Sequence, residues 1–143
     1  MRLIKVRIER FQNFMDAQTI NIEPDVTCLV GKNESGKTTV LKALHRLKPA
    51  NGTARKFNLT TEYPRSRLAR DRRQEDLTRF CPVMAWFHLE DSDRAALEEA
   101  GLNLPKTANL ELKIGRGYGN GRYVGLEVDF SELLADAATA ADV

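Results

Sequence analysis

Cysteine is scarce in this chain, and its two copies, Cys28 and Cys81, stand far apart among 143 residues. They form no Cys-x-x-Cys and have no nearby histidine partners, so neither a zinc site nor a structural disulfide is expected. Cys28 falls within an apolar run and reads as a small buried hydrophobe. Long apolar runs are missing as well. None approaches the roughly 20 residues that a membrane-spanning helix needs. The first seven residues alternate charge with apolar side chains, without the unbroken apolar core of a signal peptide. A cytoplasmic address with no membrane partner follows. Only two histidines occur. Neither His45 nor His88 has a carboxylate or nucleophile placed with it by motif spacing, so both are expected to be structural or exposed. No Asn-Lys-x-Asp run is present, which argues against a GTPase. The glycines of 115–121 fit Gly-x-Gly-x-x-Gly in no register. They read as a flexible hairpin loop rather than a dinucleotide site.

What is present is ordinary for a soluble globular domain: 42% apolar and 29% charged residues. A chain of this length is most simply one domain, able to bury about two-thirds of its unfolded surface. The net charge of +2 hides an uneven distribution. Residues 46–79 carry ten Lys/Arg against four Asp/Glu, while residues 80–143 carry five against eleven. The basic stretch peaks at Arg65, Arg67, Arg70, Arg72 and Arg73. Such a cluster can neutralise nucleic-acid phosphates. It can equally be a solvated arginine-rich face, since no aromatic residues interleave it. Trp86 and Phe87 lie elsewhere, in a strongly apolar run, and are expected in the core rather than on a base-stacking platform.

The most informative segment is 31–38, which reads Gly-Lys-Asn-Glu-Ser-Gly-Lys-Thr. It matches the phosphate-binding pattern G-x-x-x-x-G-K-[ST] completely. An apolar, β-branched run at 26–30 precedes it and is expected to be a strand. Val40, Leu41, Leu44 and Leu47 follow it, spaced for one face of a helix. Strand, glycine loop and helix together wrap a phosphate chain in backbone amides, with the positive end of the helix dipole facing it. Gly31 and Gly36 permit backbone angles and approaches that a Cβ would block. Lys37 can set an ammonium on the β- and γ-phosphates. The Thr38 hydroxyl can ligate Mg²⁺, which prefers hard oxygen donors. Asn33, Glu34, Ser35 and Thr39 contribute mainly backbone amides. The expected ligands are therefore a nucleotide and Mg²⁺, and the resemblance named below implies that the nucleotide is ATP.

Around this loop the pattern gives two N-terminal strands, at 3–8 and 19–22, with a turn at 23–25. The loop helix is expected to stop at 48–49. Residues 53–64 look irregular, and Pro64 opens a short helix that carries the arginines. A strand at 83–89, a helix capped by Asp91-Ser92 and closed by Gly101, and strands at 110–114 and 123–128 follow. A last helix begins at Ser131. The fold class is α/β (α+β): a mixed sheet, an antiparallel β subdomain and the loop helix, in a single domain over 1–143.

The N-terminal segment Ile8-Glu9-Arg10-Phe11-Gln12-Asn13-Phe14, a short strand, and then VTCLVGKNESGKTTVLKAL resembles the start of SMC/RecF-type ABC ATPases. These include double-strand-break repair ATPases and OLD-type nuclease ATPases. The first third carries the specific likeness; 83–130 resembles the following antiparallel subdomain more loosely. The resemblance implies the N-terminal lobe of an ATPase head that dimerises around two ATP molecules and is coupled to DNA in repair, maintenance or defence. The C-terminal lobe of such a head supplies the signature motif, the acidic Walker B pair and a switch histidine. None of these is found here. Residues 86–91 end in Glu90-Asp91, but read better as a strand running into a helix cap. The chain thus looks like an N-lobe fragment, or a protein without the second lobe. ATPase activity is implied by the family, while its hydrolytic motifs are missing; the partner would be a second copy, a C-terminal lobe or another chain. The family often places an arginine near the ATP phosphates where this chain has Gln12. Arg10, two residues earlier, either substitutes for it or is surface charge. A small P-loop kinase with an arginine lid, or a non-hydrolysing DNA-binding or assembly module, are the competing readings.

Overall fold

The computed structural model describes residues 1–32, 36–47, 56–102 and 109–129. The expected stop of the loop helix at 48–49 and the helix from Ser131 lie outside these residues. Five strands, β1 (Arg2–Ile8), β2 (Gln18–Asn21), β3 (Val83–His88), β4 (Asn109–Arg116) and β5 (Arg122–Asp129), form one sheet in the order β2-β1-β3-β4-β5. All four pairings are antiparallel. Among the described residues the sheet is accompanied by the helices α1 (Lys37–Leu47), α2 (Leu59–Glu62), α3 (Arg65–Asp71) and α4 (Asp91–Glu99). The expected α/β architecture is present.

Side-chain alternation sorts the sheet into two faces. Val83, Ala85 and Phe87 of β3 point towards α1, together with Leu3, Val6 and Ile8 of β1. A register shift between Leu3 and Lys5 keeps all three β1 side chains on that face. Val40 and Ala43 of α1 close over them, and Phe11, Phe57, Tyr63, Leu77 and Tyr118 complete the core. A smaller cluster of Leu89 and Leu110, flanked by Leu97 of α4, sits at the far end of β4. On the other face Trp86 lies between two ammonium groups, Lys5 at 4.6 Å and Lys113 at 5.1 Å from its ring. Its indole N–H donates to Glu127 at 3.2 Å. Phe87 joins the core as expected, whereas Trp86 is buried under lysine stems.

Helix ends follow their local chemistry. Asn58 caps α2, its side chain accepting from the amides of Thr60 and Thr61; this helix was not anticipated within the polar run. Glu90 and Asp93 form a capping box at α4, and Gly101, at φ +89°, ends the helix beyond its C-cap. The acidic pair Glu90-Asp91 is thus part of a helix start, as the sequence suggested.

Three expectations are corrected. Residues 26–30 are not a strand: none of them pairs with the sheet, and Val26 and Val30 are 72% and 92% exposed. Cys28 is exposed rather than buried. β-Propensity registers a fit to a pleated, half-buried surface; Leu29 packs against the core, but among the described residues no strand pairs with this run. The hairpin loop at 117–121 is not loose. The amide of Tyr118 donates to Phe80 O at 3.0 Å and that of Gly119 to Thr78 O at 2.8 Å. A Cβ on Gly119 would lie 2.9 Å from the Thr78 carbonyl oxygen, so the close approach requires glycine there.

Ile8 is fully buried, while Val124, on the same face of the edge strand β5, is 70% exposed. Ile8→Ala is therefore expected to cost about 3 kcal/mol of unfolding free energy, and Val124→Ala less than about 0.5 kcal/mol. Urea unfolding of both variants checks the ranking; equal losses would contradict this assignment of the core.

Candidate nucleotide-binding site

Helix α1 starts at Lys37, inside the phosphate-binding motif. Thr38 is exposed in its first turn, and the Lys37 ammonium donates back to the carbonyls of Gly31 and Lys32, the latter at 2.9 Å. The lysine thus spans the loop from its helix end to its start. Asn33, Glu34 and Ser35 lie outside the described residues. Gly36 sits at φ +91°, and a Cβ there would come within 2.9 Å of the Phe14 ring and 3.2 Å of the Asn13 amide nitrogen. Its glycine is required both by backbone angle and by the packing of the 11–14 turn behind the loop.

Thr39 does more than offer an amide. Its side chain is buried, and its hydroxyl lies 2.8 Å from Asn13 Oδ1 and 3.2 Å from Gln12 Oε1. One hydroxyl proton is shared between two acceptors on the 11–14 turn. That turn is tightly held. Phe11 and Phe14 exchange two backbone hydrogen bonds, and the amide of Gln12 donates to Glu62 O at 2.6 Å. Arg10 and Gln12 both have left-handed backbones, at φ 49° and 51°. Non-glycine residues hold such angles only where their surroundings fix them.

Beside Thr38 opens a groove of about 370 Å³ lined by Gln12, Thr38, Leu41, Lys42, His45, Arg46 and Glu62. Thr38, Leu41, Lys42 and His45 share one face of α1 by their spacing. The opposite wall is the ion pair of Arg46 with the buried Glu62 carboxylate, whose second oxygen accepts from Asn58 N at 2.9 Å. Gln12, Lys42, His45 and Glu62 were not singled out by motif matching as wall residues. Only the contact across 10–62 reveals them.

Arg10 is not free surface charge. It is partly buried, pairs with Glu75, and lies 4.7 Å over the Phe80 ring. Near it Tyr63 donates to the buried Asp71 carboxylate at 2.7 Å. Burial, then this hydrogen bond, pushes the Tyr63 phenol up to about 12. The same bond, helped by Arg70, holds Asp71 below the ordinary carboxylate range. Tyr118 is 4% exposed. Burial first, and the Glu62 charge second, raise its phenol well above the ordinary range, so it remains a donor.

The arginine cluster is divided. Arg67 pairs with Asp16 and Arg70 with Asp71. Arg65, Arg72 and Arg73 are exposed and make no ion pair among the described residues. Arg65 and Arg72 line a shallow groove with Thr60, Thr61, Leu68 and Ala69.

Residues 1–124 match a known family, the AAA ATPase domain. The chain belongs to that family. It is also 32% identical over 146 residues to chromosome partition protein Smc of Rhodopseudomonas palustris, a match taking in 99% of this chain and 12% of that protein. The chain therefore spans about an eighth of this relative. A solved chain, from work on ATP-driven dimerization and DNA stimulated activation of SMC ATPases, superposes with a TM-score of 0.46 at 14% identity, covering 100% of this chain and 81% of that one. Among the described residues no helix is long and apolar enough to cross a membrane.

The Asp71 carboxylate gives a pH signature. Its folded pKa is depressed, so the stability it contributes is fully present above the unfolded value of about 3.9 and disappears as pH falls through the lower folded value. The urea midpoint of the parent chain should exceed that of Asp71→Asn at pH 6, and the gap should narrow steadily on acidification below about pH 4. A gap independent of pH would mean that the carboxylate charge is not what Tyr63 stabilises.

Proposed function

We propose that this chain is the ATP–Mg²⁺-binding N-terminal lobe of an SMC-like ATPase that works on DNA. The observation that carries the reading is the G-x-x-x-x-G-K-T segment opening α1, with Thr38 exposed at the mouth of a nucleoside-sized groove. Phosphates at residues 31–38 would leave the nucleoside to extend along the α1 face towards Gln12, Arg46 and Glu62. Lys37 would exchange its loop carbonyls for phosphate oxygens. Thr38 offers an accessible hard oxygen at the first turn of α1, which suits Mg²⁺; when bound, the ion would neutralise phosphate charge. Lys37 supplies positive charge and α1 its N-terminal dipole.

Nothing among the described residues near Thr38 is placed by motif to orient an attacking water, which phosphoryl transfer to water requires. A C-terminal lobe or a second chain would complete the site, in a dimer formed around ATP. The DNA-linked role follows the chromosome-partition relative and the family likeness; repair, maintenance or defence are finer readings of it. The cytoplasm is the proposed location. The kinase alternative has less support, since two of the five arginines it would use as a lid are tied in ion pairs.

Lys37→Ala is expected to reduce ATP affinity at least a hundredfold in calorimetric titration, because a charge-assisted hydrogen bond worth about 1.5–3 kcal/mol disappears together with the loop's central cation. The parent chain should bind ATP–Mg²⁺ and hydrolyse it negligibly. Unchanged affinity in Lys37→Ala, or robust Lys37-dependent turnover by the chain alone, would contradict the assignment.

Contact with DNA is proposed for the arginine segment, with Arg65, Arg72 and Arg73 as direct phosphate partners and Arg67 and Arg70 as the paired remainder. Replacing the three exposed arginines by alanine should weaken duplex binding for all sequences alike. The log–log salt slope should flatten by about 0.9 for each duplex phosphate no longer neutralised. An unchanged slope would identify the segment as a solvated face.

A further inference from the structure

The loop of the β4–β5 hairpin reaches across the molecule to the back of the phosphate loop. Tyr118, at its tip, is 108 residues from Arg10, yet its hydroxyl lies 2.6 Å from Arg10 O and 3.2 Å from Glu62 O. Its ring packs edge-on against Phe57, with centroids 5.4 Å apart, and lies 5.6 Å from Tyr63. Glu62 O also accepts the Gln12 amide at 2.6 Å. The phenol therefore ties down the carbonyl just before Phe11, while the amide just after Phe11 is held on the same acceptor that the phenol reaches. Between these two ties the chain adopts its left-handed angles at Arg10 and Gln12. Beyond them, Gln12 and Asn13 present their side-chain oxygens to the Thr39 hydroxyl.

We propose that Tyr118 is a positioning residue for the nucleotide site. It fixes the Arg10–Gln12 backbone, and so sets how Gln12 lines the groove beside Thr38 and how the turn buttresses the first turn of α1. The inference rests on the ATP-binding reading above and names the remote side chain that the groove depends on. No alternative donor is in place: the Arg10 carbonyl has the phenol as its hydrogen-bond donor among the described residues. The hairpin loop itself is anchored independently, by the Tyr118 and Gly119 amides and by Asn120 Oδ1, which accepts from Phe57 N at 2.8 Å. Removal of the hydroxyl should thus release the turn while leaving the hairpin seated.

Tyr118→Phe tests this, with Asn120→Ala as a control that loosens the same hairpin without touching Arg10. ATP affinity, read by calorimetry well below the unfolding temperature, should fall about three- to tenfold in Tyr118→Phe, the loss expected for one buried hydrogen bond. It should change less than about twofold in Asn120→Ala, which leaves the Arg10 and Glu62 carbonyls with their donors. Adding Tyr118→Phe to Gln12→Ala should cost less than the sum of the two single losses, because the phenol acts in part through the Gln12 side chain. In the nucleotide-free chain, amide exchange at Gln12 should accelerate in Tyr118→Phe and not in Asn120→Ala. Equal effects of the two hairpin variants on ATP affinity, an additive double variant, or unchanged Gln12 exchange would each overturn the proposal. A parent chain that fails to bind ATP would instead refute the ATP reading, and the exchange measurement would still judge the contribution of Tyr118 to the turn.

Discussion

Four segments of the chain meet at one buried residue, Glu62. Its carboxylate pairs with Arg46 at the end of α1 and accepts the Asn58 amide in front of α2. Its carbonyl accepts from Gln12 on the N-terminal turn and from the Tyr118 phenol on the hairpin. A buried carboxylate is costly unless it is paired and hydrogen-bonded, and removing one partner leaves an uncompensated charge. The end of α1, the N-terminal turn, α2 and the hairpin are thus held to one node. Arg116 reinforces it from the sheet, donating to Arg46 O at 3.0 Å from the core-facing side of β4.

The sheet carries two kinds of chemistry on its two faces. The α1 side is a conventional apolar core in which burial of Ile8, Val83 and Ala85 supplies the driving force. Among the described residues the opposite side is built from Lys5, Trp86, Lys113 and Glu127, joined by cation–π contact and an indole hydrogen bond. The groove beside Thr38 is lined in part by α1, the helix that closes over the first side.

How much of this could be read beforehand depended on the range of the interaction. The phosphate-binding motif could be picked out because its pattern needs fixed residue types at fixed spacing, and the helix expected after it is present as α1. The strands β1 to β5 were legible within one or two residues at their ends, because alternation is local. Residues 26–30 misled, since an apolar β-branched run states a preference and not the presence of a neighbour to pair with. Gln12 and Glu62 were invisible as groove walls because about fifty residues separate them, and no local pattern spans such a distance. Tyr118 was read as part of a loose glycine loop because nothing in its surroundings in sequence announces the carbonyls it reaches. Arg10 was weighed as phosphate contact or surface charge, whereas Glu75 and Phe80, far along the chain, decided its place.

The sheet order also governs the sequence in which the molecule can be made. Helix α1 is complete by residue 47, but the strands it packs on, β3 and β4, end at His88 and Arg116. During synthesis at about 5–20 residues per second, several seconds separate the helix from its platform. An eleven-residue helix is marginal on its own in water, where isolated helices shorter than about 12–15 residues barely persist. β1 likewise waits for β3 as its central neighbour. The packing surface that α1 finds on β3 and β4 is therefore complete only once the chain has been made as far as Arg116, long after the last residue of the phosphate-binding motif.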